Sequence, residues 1–89
     1  MGNGAPLSGF KPSQVHLPKR FHALREAAEN RTSLHIDYRL ANGRNVAIKI
    51  HPRLIYNSGK RTIIEAKCDT SGITKTYLLD SILSIDIYQ

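Results

Sequence analysis

At Ser33 the spacing of apolar residues changes from helical to alternating, and it never changes back. Before that point Leu17, Phe21, Leu24 and Ala28 recur at steps of four, three and four, which puts them on one stripe of a helix. The spacing predicts a helix over about 18–30, with Pro18 suited to its first turn and Asn30, before Arg31-Thr32-Ser33, as the stop. After it, Leu34, Ile36, Tyr38 and Leu40 alternate with His35, Asp37 and Arg39. Asn42-Gly43 then supplies the residues of a tight type I′ hairpin turn. Val46, Ile48 and Ile50 alternate on the return strand, which Pro52 must interrupt, bulge or leave at a sheet edge. Turn residues at Asn57-Ser58-Gly59 and at Asp69-Thr70-Ser71-Gly72 mark off a third strand, Thr62 to Cys68, and a fourth from about Ile73 to Leu79. A fifth runs from Ile82 to Tyr88.

The expected architecture is mainly β with one N-terminal α-helix. Five short strands, each half apolar, bury their faces most economically by curling into a small, strongly bent β-barrel, with the helix against one open end. Helix then five strands is the Sm-like arrangement. At 89 residues there is room for one domain. Residues 1–14, rich in Gly and Pro with only Leu7 and Phe10 as large apolar groups, read as a flexible tail or linker, and 15–89 as the folded domain with strands over about 33–88. So small a core leaves little material for a deep, water-excluding catalytic pocket, which favours a binding module over an enzyme.

Charge sharpens that expectation. Residues 1–61 hold eleven basic and three acidic residues, a net of +8, whereas 62–89 hold two basic and four acidic, a net of −2. One part of the molecule is therefore the positive part, as affinity for a polyanion would require. Capture of a polyanion needs several Lys or Arg on one connected surface, with aromatic rings on which unpaired bases stack. The first two strands and the loops that follow supply Arg39, Arg44, Lys49, His51, Arg53, Lys60 and Arg61, with Lys75 further on and Tyr56 and Tyr77 as stacking rings. Arg53 beside Pro52, and Lys60-Arg61 beside Gly59, sit at turns where phosphates are easily reached. Tyr38 falls on the apolar side of its strand and reads as core.

Other chemistries find no support. Cys68 is alone, so no intrachain disulfide forms, and a small domain without a staple points to a reducing, cytoplasmic setting. No run approaches a membrane span of about 18 apolar residues, so no membrane partner is expected. His16, His22, His35 and His51 are too dispersed for a metal site. Neither a nucleophile with its base nor a dinucleotide fingerprint is present, and no cofactor is expected.

The residues from about 20 to 88 resemble the WYL domain, a small Sm-like barrel of bacterial transcription and phage-defence regulators and an accessory module of some DNA helicases. The family opens with Leu-x-x-Ala on a helix and a strand ending Ile-x-Tyr, and here stand Leu24-Arg25-Glu26-Ala27 and Ile36-Asp37-Tyr38. It continues through a Gly-containing turn, a strand ending near Pro, an apolar strand closing in Ala-x-Cys, and a Phe-Arg-Leu-Asp-Arg-Ile-like element. The counterparts are Asn42-Gly43, His51-Pro52-Arg53-Leu54, Ala66-Lys67-Cys68 and Tyr77-Leu78-Leu79-Asp80-Ser81-Ile82. By this alignment the naming Trp-Tyr-Leu triplet falls on Thr62-Ile63-Ile64, and the two arginines of the last element fall on Leu78 and Ser81.

The resemblance implies a regulatory or accessory module that takes nucleic acid or a nucleotide ligand, with the usual ligand positions altered. Joined to the charge pattern, it leads to binding of single-stranded DNA or RNA through the basic surface. The alternative is a protein-interaction, self-dimerisation or nucleotide-sensing module without polymer binding; the candidate partners are then a parent helicase or regulator, or a second copy of the chain.

Overall fold

In the computed structural model, residues 15–86 are described, so the tail expected over 1–14 and the last residues of the fifth strand lie outside them. The helix begins as a 3-10 turn, Lys19–Phe21, entered through Pro18, and continues as α1, His22–Asn30. Leu17, Phe21, Leu24 and Ala27 are buried, and Ala28 is half-buried beside them. α1 ends at Arg31, which adopts the left-handed conformation (φ 56°, ψ 45°), while the Thr32 N–H bonds to the Ala27 carbonyl at 2.9 Å. That position usually belongs to glycine, because a Cβ there costs about 1–2 kcal/mol.

Five antiparallel strands follow: β1 (Leu34–Arg39), β2 (Asn45–Ser58), β3 (Arg61–Cys68), β4 (Thr74–Leu78) and β5 (Ile82–Asp86). Their order in the sheet is β4-β3-β2-β1-β5. The hairpin between β1 and β2 forms where expected but with a different turn. Leu40 N–H bonds to Arg44 O and Gly43 N–H to Leu40 O, and only Gly43 has positive φ (88°). A type I′ turn needs positive φ at Asn42 as well; this is the three-residue loop with Gly at its left-handed position. Asn42 instead uses its side-chain carbonyl to accept from Arg44 N–H at 2.9 Å.

Pro52 does not end β2; it stands beside a bulge, at a position where the strand has a neighbour on one side only. β2 runs through it for fourteen residues as the central strand, because the β1 ladder stops at Leu34↔Ile50 and leaves position 52 with β3 alone. Pro52 pairs with Ala66 and Leu54 with Glu65, so Arg53 is the extra residue of a β-bulge that bends the strand. The alternation reverses there: Ile48 and Ile50 face the core before the bulge, Ile55 after it.

The closed barrel expected from the sequence is an open, curled sheet. β4 and β5 are its two edges, with no ladder between them. Flat strands about 4.8 Å apart would set those edges about 19 Å apart, yet only the 3-10 turn Leu79–Ser81 joins them. A turn of that kind rises about 2 Å per residue, so the sheet must curl. Tyr38 supplies the closing contact in place of a ladder: its hydroxyl accepts from the Leu78 N–H at 2.9 Å, and its ring meets Tyr77 edge-on at 5.2 Å. Leu24, Ile36, Ile50, Ile55, Ile64 and Ile82 fill the interior.

Candidate nucleic-acid interface

The basic residues predicted as one surface are strung along β2. Fourteen strand residues span about 45 Å of contour, with Arg39 and Arg44 at one end, Lys49, His51 and Arg53 near the bulge, and Lys60 and Arg61 at the far turn. There Gly59 takes the first central position of a two-residue loop with φ 62°, which leaves Lys60 and Arg61 exposed at its tip. Lys75 pairs with Ala66 and so shares the core-facing side of β3, away from Lys67. Tyr77 is 5% exposed and belongs to the core, so it offers no open ring face for stacking. Tyr56 is half-buried, on the same face as Ile63. Ile63 in turn pairs with Leu78, so one position of the naming triplet and one of the two last-element arginine positions form an apolar pair here.

What the fold does build is a cleft of about 630 Å³ at the bulge, lined by Ala28 and Arg31 from the helix, His51, Pro52, Arg53 and Leu54 from β2, Glu65 and Lys67 from β3, and Thr74 from β4. This is within the range of ligand sites, about 300–1,000 Å³. The bulge puts Arg53 at its rim, and the His51↔Lys67 and Leu54↔Glu65 pairs put those four side chains on one face. Three permanent cations, Arg31, Arg53 and Lys67, thus face one carboxylate, Glu65, around Ala28, Pro52 and Leu54. His51 Nε2 lies 2.8 Å from Asp69 Oδ1, and this hydrogen bond is the main reason the Asp69 carboxyl sits below its ordinary pKa.

His51 and Arg53 are the sequence-predicted residues that the structure brings together here. Arg31 and Lys67 were missed. Arg31 carried a signal in standing just past the helix stop, where a left-handed residue is needed; Lys67 was hidden in the Ala-x-Cys strand, and only the register sets it opposite His51. Cys68 is half-buried at the start of the β3–β4 turn, and hydrogen bonds from Ser71 lower the pKa of its thiol. Among the described residues no group of three His, Cys, Asp or Glu could hold a metal, and no helix is long and apolar enough to cross a membrane.

A helix docked on a curled five-stranded sheet, with a basic cleft at the bulge of its central strand, defines a small, mainly β domain with a candidate binding cleft. The WYL domain family matches residues 19–87, and the chain belongs to that family, which makes it a regulatory accessory module. Its fold is similar to the solved structure of proteasome accessory factor B/C (PafBC) of Arthrobacter aurescens, with a TM-score of 0.71 at 20% identity over 90% of this chain. The similarity covers 13% of that protein's chain. No curated protein matches.

Proposed function

We propose that this WYL domain is a non-catalytic module that binds single-stranded nucleic acid at the β2 bulge, within a larger cytoplasmic regulator or helicase. The observation that carries the reading is the convergence of Arg31, Arg53 and Lys67, from three different elements, on a cleft with a partly apolar lining. Guanidinium and ammonium groups take the phosphates, while half-buried Leu54 gives an unpaired base an apolar surface to lie on. A duplex keeps its bases stacked and cannot use that surface.

Fluorescence anisotropy of labelled single-stranded DNA, single-stranded RNA and duplex DNA at about 50 and 200 mM salt tests this. Engagement of three phosphates of a single strand predicts a loss of roughly twentyfold across that salt range. No binding of any single strand at low salt rejects the reading. A self-association reading draws support from the two unpaired sheet edges and from Ile73 and Leu83, exposed at 57% and 37%. It predicts a mass that rises with concentration in sedimentation, without oligonucleotide binding.

A further inference from the structure

The carboxylate in this basic cleft needs an explanation that phosphate binding does not give. Glu65 lines the cleft with Arg31, Arg53 and Lys67, yet among the described residues it makes no ion pair and no side-chain hydrogen bond. Its cross-strand neighbours are Leu54 on β2 and Thr76 on β4, neither of them a cation. For a pure phosphate site a free carboxylate is a defect, since it repels the ligand. For a ligand that carries a phosphate at one end and N–H donors at the other, it is a second point of recognition.

A nucleotide is such a ligand. With its phosphate among the three cations and its base against Leu54, the edge of the base comes to the residue paired with Leu54, which is Glu65. A carboxylate offers two acceptor oxygens and no donor. Guanine matches it best, presenting adjacent N1–H and N2–H groups that bind both oxygens. Adenine and cytosine present one amino group, and uracil and thymine a single N–H flanked by carbonyls that repel the charge. We propose that Glu65 reads the base in this cleft and selects guanine, an inference that rests on the cleft being the nucleic-acid site.

The test is a titration of the full chain, labelled with nitrogen-15, with each of the four ribonucleoside 5′-monophosphates, following amide shifts around Arg53, Glu65 and Lys67. Guanosine monophosphate is expected to bind about tenfold more tightly than uridine monophosphate, the lower range of a bidentate pair. Glu65→Gln should weaken guanosine monophosphate and strengthen uridine monophosphate, because an amide offers one donor and one acceptor, the complement of uracil's N3–H and O4. A residue with a merely structural role would shift both nucleotides alike. Equal affinities for all four nucleotides in the native chain overturn the base-reading role and leave the phosphate cleft standing. No shift at these residues with any nucleotide overturns the cleft itself. The native ranking decides the matter even if the Gln variant fails to fold, and the amide spectrum reports that directly.

Discussion

The Tyr38 hydroxyl on β1 accepts a hydrogen bond from the Leu78 N–H on β4, 2.9 Å away, although two strands lie between β1 and β4 in the sheet. In a flat sheet those strands would be about 14 Å apart. One phenol therefore latches a curl that no backbone ladder completes. Tyr38 also pairs with Ile82 at the start of β5, so it clasps both ends of the 3-10 turn Leu79–Ser81. Burial, with smaller effects from Cys68 and then Tyr38, raises the pKa of the Tyr77 phenol that the Tyr38 ring abuts.

Removing only that hydroxyl should loosen the latch. Tyr38→Phe leaves the Leu78 N–H without its acceptor, at a cost of about 1–2 kcal/mol, while the ring contact with Tyr77 stays. Urea unfolding should show a lower midpoint with an unchanged slope. An unchanged midpoint would mean that the curl is held by the core alone.

Arg31 holds a backbone conformation that suits glycine better than arginine, at the rim of the cleft. Arg31→Gly should relieve that cost and raise the melting temperature by a few degrees, since about 1 kcal/mol corresponds to roughly 4–8 °C in a domain this small. The same change should weaken oligonucleotide binding severalfold. A variant that is more stable and binds as tightly would show that Arg31 is only a helix end.

The His51–Asp69 contact predicts how stability responds to acid. Because the hydrogen bond holds Asp69 below its ordinary value of 3.8, its stabilisation is present above that value and is lost as pH falls through the lower folded one. Asp69→Asn should therefore unfold more easily than the native chain near pH 6, with the gap narrowing by about pH 2.5. Urea midpoints for both chains at the two pH values check it, and a gap that is constant or widens in acid contradicts it.

Much of the fold could be read from residue spacing, because each element has its own apolar period. The stripe Leu17, Phe21, Leu24 gave the helix, and the alternation Leu34, Ile36, Tyr38 gave β1 with the correct inward face. Closure could not be read, since alternation fixes which side is buried and not whether two edges pair. The long β2 was hidden by Pro52, whose fit depends on β1 stopping two residues earlier. The candidate site was less legible than the fold. Counting charges along the chain treats Arg44 and Arg61 as neighbours of Arg53, whereas strand β2 carries them to opposite ends. Arg31 and Lys67 come into the cleft only through the helix end and the β2–β3 register.

Two paired charge reversals separate the cleft from the rest of the basic surface most directly. Arg53→Glu with Lys67→Glu changes the cleft, and Lys60→Glu with Arg61→Glu changes the exposed β2–β3 turn by the same net charge. Anisotropy with a labelled single strand at about 50 mM salt should show binding abolished in the first variant and reduced only severalfold in the second. Equal losses in both, or a greater loss in the second, would contradict the assignment of the site to the bulge of β2.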